Sequence, residues 1–197
     1  MLELDTGGDG RPLRAAVLLD RDGVIIENRD NYVRSWADVS IYPQALEALA
    51  RLHEAGYPVA LVTNQSAVGR GLLSLAEARQ INGRLVGAIE RAGGRVEDVY
   101  MCPHAPDEGC NCRKPRPGLI WQAAEELGLD LSGSVLIGDA LSDLEAGQRA
   151  GVGWTALVRT GRGAAEERRA AGPVRVYDTL SAAVEALLTG EVERQTD

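Results

Sequence analysis

Short apolar segments recur along the chain, and patterns typical of helices fill the intervals between them. The segments 15–19 (AAVLL) and 58–62 (PVALV) are uninterrupted apolar runs, as expected for strands buried on both faces of a sheet. Further strands are predicted at 96–101, 135–137, 154–158 and 174–177. Buried strands that alternate with helices predict an α/β fold, in which a three-layer, doubly wound and mainly parallel sheet carries helices on both sides.

Helix signals lie in the intervals between these strands. Pro43 opens a helical pattern that Gly56 closes, and Ser74 with Glu77 forms a capping box before a helix that runs to about Ala92. The other predicted helices are 119–127, 141–150, 164–170 and 180–188. Sheets of this kind bind ligands at the carboxyl ends of their strands, so functional side chains are expected directly after the strands.

The size and charge of the chain restrict its domain organisation and its partners. It has 197 residues, of which 45% are hydrophobic, enough for one core; we predict a single domain at 14–190 after a flexible N-terminal arm at 1–13. The net charge of −8 argues against nucleic acid as a partner, because nonspecific binding needs a basic surface. No segment resembles a membrane span or a secretory signal, which predicts a cytoplasmic protein without membrane partners.

Two carboxylates leave the first predicted strand together. Asp20 and Asp22 are spaced so that both side chains project to the same side of an extended backbone, and Gly23 allows a sharp turn after them. Close carboxylates repel each other unless they share a cation, and oxygen ligands favour Mg²⁺. The pair therefore predicts a magnesium site; the alternative is an ordinary turn with solvated acids.

Polar residues also follow other predicted strands. The run after the second strand consists of Thr63, Asn64, Gln65 and Ser66. These side chains can donate to phosphate oxygens, although such residues also form ordinary turns. The planar guanidinium of Arg113 and the compact ammonium of Lys114 are both suited to binding anionic groups. The alternative is that the two residues form an ordinary exposed basic turn. Asp139 adds a carboxylate after the fourth strand, whereas Asp143 is also explained as an acid at a helix start.

All three cysteines of the chain fall within one short segment. Cys102, His104, Cys110 and Cys112 provide three thiols and an imidazole, the ligands of a closed tetrahedral zinc site. A site with four protein ligands is structural, and we expect Zn²⁺ to order the loop 102–112 that precedes Arg113. The alternatives are three unrelated buried cysteines, or a strained disulfide between Cys110 and Cys112.

The motifs occur in the order DRDGVI, TNQS, RKP and GD. This order resembles the haloacid dehalogenase (HAD) superfamily. The resemblance implies a Rossmann-like HAD fold and a Mg²⁺-dependent phosphatase that works through an aspartyl-phosphate intermediate. It makes Asp20 the nucleophile and Asp22 the general acid and base, while Thr63 and Lys114 stabilise the phosphoryl group. It also implies that Asp20, Asp139 and the backbone carbonyl of Asp22 hold Mg²⁺.

With the cysteine loop included, the chain resembles the zinc-containing branch of that superfamily, which holds phosphatases of heptose 1,7-bisphosphate and of histidinol phosphate. The motifs are more similar to those of the heptose type, which implies a small phosphorylated metabolite as partner. The substrate contacts implied by the resemblance are Arg29, Asp30, Asn31, Tyr32, Thr63, Asn64, Gln65, Ser66, Arg113 and Lys114. Two features depart from the heptose type. The interval from His104 to Cys110 is short, as in the histidinol-phosphate type, and Ala140 replaces a basic residue.

Three functional hypotheses remain in order of preference. The first is release of the 7-phosphate from a heptose bisphosphate, and the second is the same chemistry on histidinol phosphate or another small phosphomonoester. The third is a zinc-stabilised binding module with a degenerate site, disfavoured because every charged catalytic position is occupied. The gaps 23–42 and 66–74 are too short for a large cap domain, so we expect an open site. We also expect the protein to be a monomer.

Overall fold

The computed structural model describes residues 12–191, so most of the predicted arm at 1–13 lies outside the described residues. The strands are β1 (Val17–Leu19), β2 (Val59–Asn64), β3 (Asp98–Cys102), β4 (Val135–Gly138), β5 (Trp154–Val158) and β6 (Val176–Tyr177). They form one sheet in the order β3-β2-β1-β4-β5-β6, and all neighbouring strands are parallel. The predicted doubly wound parallel sheet is therefore confirmed, with β1 between β2 and β4.

Helices cover both faces of this sheet. They are α1 (Pro43–Glu54), α2 (Ser66–Gly69), α3 (Leu75–Arg91), α4 (Gly118–Leu127), α5 (Leu141–Ala150), α6 (Gly163–Glu167) and α7 (Leu180–Leu188). Successive side chains of β1 enter two apolar cores: Val17 and Leu19 belong to the core with α1, α3 and α7, and Leu18 to the core with α4 and α5. Each fully buried leucine stabilises the fold by about 1.5–3 kcal/mol.

The observed elements differ from the predicted ones mainly in short segments. The sequence pattern does not predict α2 or a 3₁₀ turn at Trp36–Asp38, because a single turn is too short to show a hydrophobic period. The predicted helix 164–170 is reduced to Gly163–Glu167, and the predicted strand 174–177 to Val176–Tyr177. In the described residues, β1 and α1 are joined through the 3₁₀ turn and isolated bridges, and β2 and α3 through α2, without a large cap domain.

Between residues 12 and 191, no helix combines the length and the apolar character that crossing a bilayer requires.

Candidate active site

The carboxyl ends of three neighbouring strands bring several of the predicted catalytic residues together. Asp20 directly follows β1, Thr63 lies near the end of β2, and Asp139 directly follows β4. Because β1 lies between the other two strands, Asp20 occupies the middle of this group. All three side chains are buried. The three side chains therefore lie at the strand ends, where the strand-end rule expects functional residues, and their roles stay predictions.

Lys114 joins the group from the loop before α4. Its ammonium lies 2.9 Å from Asp20 Oδ1 and 2.7 Å from Asp143 Oδ1, and it donates to the carbonyl oxygen of Val62 at 2.6 Å. Asn64 fixes the backbone of Lys114 from both sides, since it donates to the Lys114 carbonyl and accepts from the Lys114 N–H, each at 3.1 Å. The three protons of the ammonium thus have three buried acceptors.

The electrostatics of this cluster follow from its burial. Burial raises the pKa of Asp20 to about 6, although the attraction of Lys114 acts in the opposite direction. Burial alone would lower the pKa of Lys114, but the charges of Asp143 and Asp20 raise it above its ordinary value. Lys114 therefore carries its charge at neutral pH and offers a fixed cation to an anionic substrate.

Asp143 has a larger part in this cluster than its sequence position indicated. It lies in the first turn of α5, and Gly138 packs so closely that a Cβ there would lie 2.3 Å from the Asp143 carboxylate. One carboxylate oxygen meets Lys114, and the other accepts from the Ala140 N–H at 3.0 Å. The same side chain thus caps α5, as expected for an acid at a helix start, and also holds Lys114.

Asp139 is fully buried and pairs with a residue that the sequence motifs did not identify. The Arg162 guanidinium donates to Asp139 Oδ1 at 2.9 Å and to Oδ2 at 3.3 Å, and the Arg162 backbone N–H donates to Oδ2 at 2.9 Å. Asn28 Nδ2 approaches Oδ2 at 3.5 Å. Burial raises the pKa of Asp139, and the hydrogen bonds from Arg162 oppose that shift. The position of Arg162 after β5 is a signal that the strand-end rule could have used.

Asp22, which lines the cavity described below, belongs to a second polar network. Arg21, which is almost completely buried, donates to both oxygens of Asp22 at 3.0 Å, and to Asn82 Oδ1 at 2.7 Å and Gln65 Oε1 at 2.9 Å. Gln65 donates in turn to Asp22 Oδ2 at 2.8 Å and to Thr63 Oγ1 at 2.9 Å. The roles of Arg21 and Asn82 were not predicted, because no sequence pattern marks a buried arginine.

The carboxylates of this site fit a divalent cation. Oxygen atoms of Asp20, Asp139 and Asp143 lie within 4.8 Å of one another, and all three residues are buried. Such a set of hard oxygen ligands is the kind that Mg²⁺ favours. Gly23 has a φ of +81°, and a Cβ at this position would lie 2.1 Å from Asp139 Oδ2, so only glycine fits. The Asp22 carboxylate lies outside this group, and its metal contact through the backbone carbonyl stays a prediction.

A cavity of about 600 Å³ adjoins the cluster. Most of the predicted substrate contacts line it, namely Arg29, Asp30, Tyr32, Asn64, Gln65, Ser66, Arg113 and Lys114. Two predicted contacts do not: Thr63 is buried below the lining, and Asn31 is exposed outside it. Arg113 is held by the Ser66 hydroxyl at 2.7 Å and the His104 carbonyl at 3.3 Å, so its fork is fixed at the cavity wall.

The four predicted zinc ligands lie together in the loop after β3. Cys102 Sγ lies 3.6 Å from Cys110 Sγ, 3.2 Å from Cys112 Sγ and 3.6 Å from His104 Nδ1, and His104 Nδ1 lies 3.2 Å from Cys112 Sγ. Tetrahedral zinc with its usual bond lengths separates such ligands by about 3.5–3.8 Å. The donor set and its spacing are therefore suited to Zn²⁺. All three cysteines are free thiols, which contradicts the disulfide alternative.

The sequence of this chain is similar to that of known proteins over most of its length. The family model described as HAD-hydrolase-like matches residues 111–183. The D-glycero-beta-D-manno-heptose-1,7-bisphosphate 7-phosphatase of Pseudomonas aeruginosa is 41% identical over 179 residues, which cover 89% of this chain and 98% of that protein. The protein of the same name from Bordetella bronchiseptica is 41% identical over 175 residues, covering 87% and 97%.

A solved structure agrees with these relatives. The D,D-heptose 1,7-bisphosphate phosphatase of B. bronchiseptica, complexed with magnesium and phosphate, has a TM-score of 0.85 and 39% sequence identity. The similarity covers 89% of this chain and 99% of that one. The likeness therefore extends over most of the chain and nearly all of that structure.

Proposed function

The chain belongs to the HAD family of phosphatases, together with the D-glycero-D-manno-heptose-1,7-bisphosphate 7-phosphatases, and from this membership we propose that it releases the 7-phosphate of a heptose 1,7-bisphosphate. It is thus a phosphoric monoester hydrolase. One observation carries the proposal: the Lys114 ammonium lies between the carboxylates of Asp20 and Asp143, at the strand ends that also present Asp139. This arrangement offers a nucleophile and a fixed cation to the same phosphoryl group.

In the proposed reaction Asp20 attacks phosphorus and the bond to the sugar oxygen breaks. Phosphate monoesters hydrolyse very slowly, since their anionic oxygens repel an anionic nucleophile. Lys114 opposes that repulsion, and its attraction grows as charge builds up on the phosphoryl oxygens. Mg²⁺ held by Asp20 and Asp139 would supply the same kind of charge compensation. The product of this first step is an acyl phosphate, in which an Asp20 carboxylate oxygen is bonded to phosphorus.

Asp22 acts as the general acid in the first step and as the general base in the second. As an acid it gives a proton to the leaving sugar oxygen, and as a carboxylate it then takes a proton from the water that attacks the Asp20 phosphoryl group. Phosphate leaves, and both aspartates return to their starting forms. Arg21 and Gln65 hold the Asp22 side chain in one orientation through three hydrogen bonds of 2.8–3.0 Å. Because all three are donated to the carboxylate, they support the step in which Asp22 takes a proton from water.

Zn²⁺ in the cysteine loop would have a structural role in this proposal. The loop carries the His104 carbonyl that accepts from Arg113, and Arg113 also lines the cavity. Ordering the loop therefore fixes a cation that faces the substrate. The monomeric state and the cytoplasmic location stay predictions.

A second candidate substrate is histidinol phosphate. One observation favours it, the short interval between His104 and Cys110, which matches that type of zinc loop. The chemistry at Asp20 would be the same, and only the cavity contacts would differ. The similarity to heptose-bisphosphate phosphatases over most of the chain favours the first candidate.

Phosphate release from purified protein tests the proposal. With Mg²⁺ present, we expect heptose 1,7-bisphosphate to have a kcat/KM at least about 100-fold above that of histidinol phosphate. Asp20→Asn should abolish turnover, whereas Glu47→Gln, the same kind of exchange on the exposed side of α1, should not change it. Faster turnover of histidinol phosphate would favour the second candidate. Equal turnover by Asp20→Asn and the parent would overturn both.

A further inference from the structure

Four cationic side chains line the cavity, and Arg162 differs from the other three in its partners. Lys114 is bound by two carboxylates and a carbonyl oxygen, and Arg113 by a hydroxyl and a carbonyl oxygen. Arg29 is bound by the Asp38 carbonyl and Glu27. The Arg162 side chain, among the described residues, has its hydrogen bonds with Asp139 alone.

That partner is one of the carboxylates suited to a divalent cation. The guanidinium donates to both oxygens of Asp139, so a cation held by Asp20 and Asp139 would compete with it for that carboxylate. It would also repel the positive charge of Arg162 at close range. The guanidinium side chain is about half exposed (56%), so it can leave without disrupting a packed core. The Arg162 backbone N–H also donates to Asp139 and can keep this loop beside the site.

We propose that Arg162 is a specificity-determining residue: metal binding releases its guanidinium from Asp139, and the side chain then binds the substrate phosphate that is not cleaved. This inference rests on the proposed function, since it needs a substrate with two phosphates. Arg162 is at the cavity already, and its planar fork suits a phosphate dianion.

Beside Asp139, the side-chain cation that reaches the cavity belongs to Arg162. Ala140, the next residue, is buried and carries no charge, so the turn after β4 offers no side-chain cation to the cavity. The turn after β5 supplies one instead, through Arg162. Lys114 already faces the Asp20 carboxylate at 2.9 Å and is thus committed to the reacting phosphate. A second phosphate therefore needs a cation other than Lys114, and the arginines that line the cavity are Arg29, Arg113 and Arg162. Of these, Arg162 makes its side-chain hydrogen bonds with Asp139 alone among the described residues.

Two measurements on Arg162→Gln test the proposal. The first is Mg²⁺ binding without substrate, followed by calorimetry. Removal of the competing guanidinium should tighten Mg²⁺ binding by about threefold or more. Arg168→Gln, which removes an exposed arginine beyond α6, is the control and should leave Mg²⁺ binding unchanged. Weaker or equal Mg²⁺ binding by Arg162→Gln would contradict the competition between metal and guanidinium.

The second measurement compares heptose 1,7-bisphosphate with the same heptose carrying only the 7-phosphate. Arg162→Gln should raise KM for the bisphosphate by about tenfold or more, with little change in kcat, and leave KM for the monophosphate unchanged. Equal effects on both substrates would overturn the assignment to the uncleaved phosphate. If the parent protein cleaves neither substrate, the proposed function fails, and the calorimetric result still decides whether Arg162 and the metal compete.

Discussion

The Arg21 guanidinium donates to both carboxylate oxygens of its chain neighbour Asp22, at 3.0 Å each, in a site where Arg21 has almost no exposed surface. Adjacent residues of an extended chain normally project in opposite directions. Here the turn after β1 lets the two side chains meet. Arg21 also donates to Gln65 and Asn82, so one buried cation connects the turn after β1, the residue that follows β2 and helix α3.

This relationship predicts two different effects at position 21. Arg21→Met leaves Asp22 and Asn82 without their partner, and we expect the free energy of unfolding to fall by about 3–5 kcal/mol. Arg21→Lys keeps the charge but loses the fork that orients Asp22, so kcat should fall about tenfold or more with KM little changed. Urea denaturation and steady-state kinetics measure the two effects. Arg91→Lys, at an exposed position of α3, is the control, and an equal response there would refute the role of the network.

Asp143→Asn tests the position of Lys114. The exchange preserves the shape of the side chain but removes the negative charge 2.7 Å from the ammonium, so Lys114 is held by Asp20 alone among carboxylates. We expect kcat to fall by about 10²–10³, the size of effect seen when one preorganised electrostatic contact is lost. Glu145→Gln, two residues later on the exposed side of α5, should retain full activity. A variant of Asp143 with the parent's kcat would exclude this role.

Gly23→Ala tests the backbone beside the metal ligands. A Cβ at this position would overlap the Asp139 carboxylate, and the φ of +81° disfavours any side chain, so we expect a loss of stability of about 1–3 kcal/mol and weaker Mg²⁺ binding. Gly83→Ala is the opposite case. A Cβ at this position would meet no atom, and alanine favours a helix over glycine, so we expect the free energy of unfolding to rise by about 1 kcal/mol. Thermal unfolding with and without Mg²⁺ distinguishes them. A shift of Tm in the same direction for both variants would contradict the prediction.

Removal of zinc should loosen the loop 102–112 and not the whole sheet. The chain has two histidines, which gives a matched pair: His104→Gln should lose bound zinc and become sensitive to proteolysis in this loop, whereas exposed His53→Gln should do neither. Elemental analysis and limited proteolysis with mass spectrometry measure both effects. Equal zinc content in His104→Gln and the parent would show that the metal site is elsewhere or absent.

Mg²⁺ binding should depend on pH through Asp20. Because burial raises the pKa of this carboxyl to about 6, a proton must leave Asp20 before it can bind a metal at lower pH. The apparent affinity for Mg²⁺ should be nearly constant above about pH 7 and decrease toward pH 5, by up to about tenfold per pH unit for one proton. Calorimetric titrations across this range test the trend. Asp130→Asn, which removes a carboxyl whose pKa is lowered by Ser132, should show the same pH profile.

The sequence determined the layout of the fold because the central strands β1, β2, β4 and β5 are buried on both faces and are almost entirely apolar runs. Continuous burial of β1, β2 and β4 is why their positions were predictable without any knowledge of contacts. The same pattern located Asp20, Thr63 and Asp139, since strand ends in a parallel sheet converge. The cysteine loop was predictable because its four ligands are close in the chain, so no distant contact is needed to assemble them.

The tertiary structure alone decided which partners these residues have. Arg21, Asn82 and Arg162 come from three distant segments, and their hydrogen bonds depend on how helices and turns pack against the sheet, which no local pattern encodes. Tertiary packing likewise decided the contacts of Asp143. Its carboxylate caps α5 and also binds Lys114, which comes from a distant segment of the chain. Chain order fixes which side chains are available at a strand end, and packing fixes which of them meet there.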